Sequence, residues 1–134
     1  MRVVLDTNVF ISGIHWSGNS GKIIELWIDN CFELVSSEEI LQELARTLSN
    51  FKKPLSEEEI IDWISLIASK AIIVVHTTQF NAIKSDPDDN KFIDVAVEGE
   101  ADYIVSQDHH LLDIKEFQGI KIVTPQEFLK LVQL

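Results

Sequence analysis

Val3-Val4-Leu5-Asp6-Thr7-Asn8 sets three consecutive apolar residues against an acid close to the start of the chain. An unbroken apolar run closed by a polar residue reads as a central strand buried on both faces, the pattern of a parallel sheet, where a half-exposed strand would alternate. Comparable runs recur at Phe32 to Val35, Ala71 to Val75, Tyr103 to Val105 and Ile120 to Val123, which makes five expected strands.

Helical spacing fills the intervals. Between Gly21 and Asn30, the residues Ile23, Ile24 and Trp27 share one helix face. Ser36 and Glu39 form a capping-box pair ahead of Ile40, Leu41, Leu44, Ala45 and Leu48. A second such pair, Ser56 and Glu59, precedes Ile60, Ile61, Ile64, Ile67 and Ala68, with Trp63 joining the same broad apolar surface. Pro87, followed by two acids, opens a helix with Phe92, Ile93, Ala96 and Val97 facing inward, and Pro125 opens a last one carrying Phe128, Leu129 and Val132. Strands alternating with helices predict an α/β fold, a three-layer α/β/α sandwich around a mostly parallel five-stranded sheet. At 134 residues, with no repeat, low-complexity tract or composition break, residues 1–134 are expected to form one domain. The least regular stretch, Thr77 to Asp86, is expected to be a surface loop.

The composition, 46% hydrophobic and 25% charged, is that of a globular chain rather than a disordered or membrane one. A lone Cys31 excludes an internal disulfide, and the N-terminus lacks a basic segment followed by an apolar stretch and a cleavage site, so a cytoplasmic location is expected. No apolar run approaches the roughly 20 residues of a membrane-spanning helix. The net charge of -11 argues against a simple nucleic-acid-binding module, because Lys and Arg supply most non-specific affinity for phosphates. A protein that gathers carboxylates around divalent cations partly escapes that objection, since the metal brings local positive charge.

In open α/β sheets, ligands bind beyond the carboxyl ends of the strands. Asp6 closes the first strand, and Asp108 follows the fourth with Ser106 shortly before it. Either Asp would also serve as a helix or turn cap, but two at one sheet edge point to a site. With residues advancing roughly 100° each around a helix, Asp89 falls in line with the stripe of Phe92, Ile93, Ala96 and Val97, while Asp94 lies nearly opposite and is expected to be solvated. Asp89 would equally interact with the helix dipole or pair with Asp86 as a cap. Glu43 and Glu38 sit on opposite flanks of their helix's apolar face, and periodicity does not choose between them. Acids crowded together repel, and a divalent cation resolves the conflict. Hard oxygen donors suit Mg2+ or Mn2+ rather than Zn2+. The histidines His15, His76, His109 and His110 show no zinc-motif spacing and read as surface or loop residues. Arg46, Lys52 and Lys53 are the basic residues nearest Glu43 along the chain and read as a solvated helix end.

These residues resemble a PIN domain, in particular the toxin components of bacterial and archaeal toxin–antitoxin systems. The resemblance is carried by Val-Val-Leu-Asp-Thr-Asn at 3–8, Ile-Leu-Gln-Glu-Leu at 40–44, Asp-Pro-Asp-Asp-Asn-Lys-Phe-Ile-Asp-Val-Ala at 86–96 and Ala-Asp-Tyr-Ile-Val-Ser-Gln-Asp at 101–108. The segments run in the family's order and cover nearly the whole chain; the third is the most specific. The resemblance implies metal-binding catalytic acids at Asp6, Glu43, Asp89 and Asp108, selecting Glu43 over Glu38, with Asp86 and Asp88 as alternatives to Asp89. It places Asn8 as the polar residue that helps order the first acid, and Ser106 where the family usually has Thr. The implied activity is Mg2+- or Mn2+-dependent hydrolysis of RNA phosphodiesters, the metal acidifying a water and the carboxylates accepting its proton. The implied partners are RNA and a small antitoxin that fills the groove; self-association into a homodimer is common in the family, and in this chain the Trp16 region or the last helix would supply a face.

Two other readings have distinct signatures. An apolar strand ending in Asp-x-Asn is similar to that of haloacid-dehalogenase phosphatases, but their second acid is replaced here by Asn8, which cannot act as a general acid. A non-catalytic interaction module with a vestigial metal site is the other, and the presence of all four acids speaks against it.

Overall fold

Strand β1 (Arg2–Leu5) runs through the middle of the sheet, with Val3 and Val4 fully buried and Leu5 nearly so. In the computed structural model, residues 1–15, 18–75 and 90–132 are described. After β1 come helices α1 (Thr7–His15) and α2 (Asn19–Ile28), strand β2 (Glu33–Ser37), helices α3 (Glu38–Asn50) and α4 (Glu57–Lys70), and strand β3 (Ile72–Val74). Helix α5 (Asn90–Glu98), strand β4 (Tyr103–Val105), the single turn α6 (His109–Leu112), strands β5 (Glu116–Phe117) and β6 (Ile120–Val123), and helix α7 (Pro125–Val132) complete the order.

The sheet is six-stranded in the order β3-β2-β1-β4-β6-β5. Every neighbouring pair is parallel except β5 with β6. The expected five-stranded parallel sheet is therefore present with one antiparallel strand added at its edge. Its two-residue strand carries no periodic signal, and its turn is Gln118-Gly119, with φ of 50° and 86°. Two successive positive φ values are what a tight hairpin turn requires, but Gln-Gly is a weaker signature of that turn than Asn-Gly.

Strand alternation divides the core into layers. Val3, Leu5, Leu34 and Val105 pack with Phe10, Trp27, Leu44 and Phe128 from α1, α2, α3 and α7. Val4, Val35, Ile104 and Ile122 pack with Phe92, Ile93, Ala96 and Leu111 from α5 and α6. This is the three-layer sandwich the alternation predicts. Full burial of side chains such as Phe10 and Phe128 stabilises the fold by about 1.5–3 kcal/mol each. At Gly13 in α1, a Cβ would lie 2.5 Å from Ile24 Cγ1 and 2.8 Å from the Ser20 carbonyl oxygen, so α1 and α2 approach closely only because no side chain intervenes.

Several local expectations are corrected. The cap of α3 is Ser37, whose hydroxyl accepts the Ile40 N–H at 3.2 Å, not Ser36. Strand β2 continues through both serines, in register with Ile73 and Val74, which leaves the helix to start one residue later. The Ser56–Glu59 box of α4 is formed in full. However, only Ile67 of α4 is buried, and Ile61 stands 56% exposed, so the helix offers the core one edge of its apolar surface. Helix α1 arises where no helix was expected, its run Val9-Phe10-Ile11 being too short to show a period. Asp94 is buried rather than solvated, because α5 is covered through Phe92 to Ala96 and has little solvent face. Trp16, His76, the Thr77 to Asp86 stretch, Pro87, Asp88 and Asp89 lie outside the described residues. Among the described residues no helix is long and apolar enough to cross a membrane.

Candidate metal centre

The strand order reverses between β1 and β4: β2 and β3 extend to one side, β6 and β5 to the other. A crevice at such a switch point, beyond the carboxyl ends of the strands, is where open α/β sheets place ligands. Leu5 is in register with Val105, and the Asp6 N–H donates to the Val105 carbonyl at 3.1 Å, so Asp6 and Ser106 leave adjacent strands side by side.

Asp6 is 3% exposed, and each carboxylate oxygen has a donor. Oδ1 accepts the Val9 N–H at 2.9 Å, which caps α1, and Oδ2 accepts the Ser106 hydroxyl. Capping and site roles, posed as alternatives by the sequence, therefore coexist on one side chain. Burial pushes the Asp6 carboxyl above the ordinary carboxylate range; the hydrogen bonds from Ser106 and Val9 oppose that shift, the Asp108 charge adds to it, and the Asn8 N–H opposes it. A buried acid held near a second acid is a group whose charged form calls for a cation.

Glu43 projects from the second turn of α3. Its Oε2 accepts the Thr7 hydroxyl and its Oε1 lies 2.9 Å from Lys91 Nζ. Glu38 is exposed, its Oε1 within 3.4 Å of Gln42 Nε2. Asp108 caps α6, Oδ1 accepting the His110 N–H at 2.9 Å, while the Asp108 N–H donates to Ser106 Oγ at 2.9 Å. A cleft of about 110 Å3 is lined by Asp6, Thr7, Asn8, Glu43, Thr47, Phe92 and Asp108. Three of the four acids expected from the sequence thus share one opening with Asn8. The fourth, Asp89, precedes α5 and lies outside the described residues, as do its alternatives Asp86 and Asp88.

The donor set of this cleft is oxygen only, carboxylates of Asp6, Glu43 and Asp108 with the amide of Asn8, which fits a hard divalent cation such as Mg2+ or Mn2+. Its acids are spread more widely than a closed coordination shell. Among the described residues, the group whose ligand atoms all lie within 4.8 Å of one another is Asp108, His109 and His110. The two imidazole rings are 4.1 Å apart, centroid to centroid, on the first turn of α6. Sequence spacing gave no sign of this grouping, because it depends on α6 folding both rings back beside Asp108.

Two contacts to Glu43 escaped the sequence reading. Thr7 sits inside the quoted Asp-Thr-Asn and Lys91 inside the 86–96 segment, yet neither carried a role. No spacing singles out either residue, because each contact depends on how neighbouring helices pack beside α3. Arg46, Lys52 and Lys53 are exposed and do not line the cleft.

A PIN domain family model matches residues 2–110. The uncharacterised protein MJ1680 of Methanocaldococcus jannaschii is 34% identical over 142 aligned positions, which cover 97% of this chain and 90% of that protein. Among solved structures, PAE2754 from Pyrobaculum aerophilum superposes with a TM-score of 0.66 at 13% identity, over 99% of this chain and 90% of that one. FitAcB from Neisseria gonorrhoeae superposes with a TM-score of 0.57 at 13% identity, over 92% of this chain and 98% of that one. The two structures share the fold, and the family model, matching most of the chain, shows that it belongs to the PIN domain family.

Proposed function

We propose that the protein is a Mg2+- or Mn2+-dependent ribonuclease that hydrolyses RNA phosphodiester bonds, with Asp6, Glu43, Asp89 and Asp108 as its metal-binding and catalytic acids. The observation that carries this reading is the convergence of Asp6, Glu43 and Asp108 on one cleft at the sheet's switch point. PIN domains are generally nucleases and usually bind divalent metals, which agrees with that donor set.

A divalent ion held there would supply acidity to a water and charge stabilisation to the phosphoryl oxygens. The chain's own contribution is orientation: Ser106 and the Val9 N–H fix the Asp6 carboxylate, and Thr7 fixes that of Glu43. With a cation balancing their charge, the cleft's carboxylates would be placed to take the proton of the attacking water, so no histidine base is required. Asn8, exposed at the rim, completes the oxygen set.

The family resemblance extends the proposal to a cytoplasmic toxin of a toxin–antitoxin pair, with a small antitoxin filling the cleft and a homodimer as the working form. The exposed, unpaired Cys31 suits a reducing compartment.

The deciding experiment incubates a broad RNA panel with wild type and Asp6→Asn, with Mg2+, with Mn2+ and with chelator. Cleavage by the wild type only with metal, abolished in Asp6→Asn, is expected. An intact panel under every condition, with protein free of any copurified inhibitor, overturns the nuclease reading in favour of an interaction module. Capture of the product of an adjacent small reading frame by the purified chain tests the antitoxin.

A further inference from the structure

The ion pair between Lys91 and Glu43 is the least expected contact in the cleft. The Lys91 side chain is only 12% exposed, its Nζ 2.9 Å from Glu43 Oε1, and it lies 5.1 Å from the centre of the Phe92 ring. Lysine is rarely buried to that degree without a partner. Desolvation is thus accepted to hold an ammonium against an acid of the metal centre. Because the other oxygen of Glu43 is engaged by Thr7, both oxygens have donors. A dication binding Glu43 would sit within a few ångströms of the ammonium, and like charges at that separation repel strongly in a partly buried cleft.

We infer that Lys91 is a built-in counter-cation of the acid cleft: it neutralises Glu43 while the divalent ion is absent, and ion binding exchanges it for the metal. This inference rests on the metal-centre reading above and assigns to that centre a threshold. The ion must displace a tethered cation as well as shed water, so the cleft loads at a higher metal level than its acids alone would require. Unlike the exposed Arg46 and Lys52, Lys91 already pairs with an acid that lines the cleft.

Calorimetric titration of the full chain with Mn2+ tests the exchange on wild type, Lys91→Met and Lys91→Arg. Lys91→Met is expected to bind Mn2+ about fivefold or more tightly, the scale of an ordinary coupling between two ligands. Lys91→Arg, which keeps the charge, stays near wild type. Equal or weaker binding by Lys91→Met overturns the inference and leaves the metal centre standing, whereas no Mn2+ binding by either wild type or Lys91→Met overturns the metal centre and the inference with it.

A second measurement needs no variant. Reductive methylation of lysines in the wild type, read by peptide mass spectrometry, is expected to label Lys91 faster when Mg2+ is added, with the exposed Lys22 unchanged as control. Unchanged Lys91 labelling at saturating Mg2+ also overturns the exchange.

Discussion

The buried hydroxyl of Ser106 donates to Asp6 Oδ2 and accepts the backbone N–H of Asp108, so one side chain fixes two of the acids that face the cleft. Ser106 is fully buried, and its removal leaves an oxygen and an N–H without their partner. Ser106→Ala is therefore expected to cost about 1–3 kcal/mol in urea denaturation. It should also weaken Mn2+ binding by calorimetry, because the Asp6 carboxylate loses its orientation. Ser106→Thr keeps the hydroxyl and should retain most of that binding. Full stability and unchanged Mn2+ affinity in Ser106→Ala would show that the link is incidental.

Asp6 gives a pH prediction with a definite sign. Burial raises its folded-state pKa above the unfolded value, so the folded chain holds the proton more tightly than the unfolded one. Below the unfolded value, about 3.9, that contribution is fully present; it is lost as pH rises through the raised folded value, where the buried carboxylate ionises. Asp6→Asn cannot ionise, and its amide oxygen still accepts from Val9. In chelator, the melting temperature of Asp6→Asn minus that of wild type should therefore grow as pH rises from about 4 and then level off. A difference that stays constant across that range would mean that Asp6 carries no such burden.

The layers and the switch-point edge were legible in the sequence because they depend on periodicity and strand ends. Val3-Val4-Leu5 announces a central strand, and Asp6 and Asp108 follow directly from where strands stop. Contacts that depend on how a helix is rotated against its neighbour were not legible. Glu43 and Glu38 flank the same apolar face of α3; only the packing of α3 beside α1 brings Glu43 to Thr7 and leaves Glu38 in solvent. Asp94 fails for a related reason. The phase of α5 identified its apolar stripe correctly, but the helix is covered on more than that stripe, so Asp94, assigned to solvent, is enclosed. The Asp108-His109-His110 group needs a turn that four residues barely signal.

The misplaced cap of α3 supplies a paired test. Ser37 Oγ accepts the Ile40 N–H, whereas Ser36 Oγ is buried with no hydrogen-bond partner among the described residues. Sequence pattern alone, with Glu39 three residues after Ser36, makes Ser36 the sensitive position. The structure reverses that: Ser37→Ala should cost about 1 kcal/mol, and Ser36→Ala should be neutral or stabilising, since it removes an unsatisfied buried oxygen. Chemical denaturation of both variants decides, and a greater loss in Ser36→Ala would restore the capping box to its sequence position.

Asp108 separates metal binding from folding, because its two jobs respond differently to one atom. As the cap of α6 it needs only an oxygen for the His110 N–H, which Asn supplies nearly as well as Asp. As a metal ligand it needs the charge. Ligand linkage stabilises a folded chain by about 2.7 kcal/mol when the free ligand stands at a hundred times its dissociation constant. Wild type should therefore melt several degrees higher in saturating Mn2+ than in chelator. Asp108→Asn should melt close to wild type in chelator yet lose most of the Mn2+ increment, whereas His109→Ala should keep it with Mg2+, an ion that prefers oxygen donors. An undiminished increment in Asp108→Asn would remove Asp108 from the metal centre, and loss of the Mg2+ increment in His109→Ala would move the ion toward the imidazoles beside it.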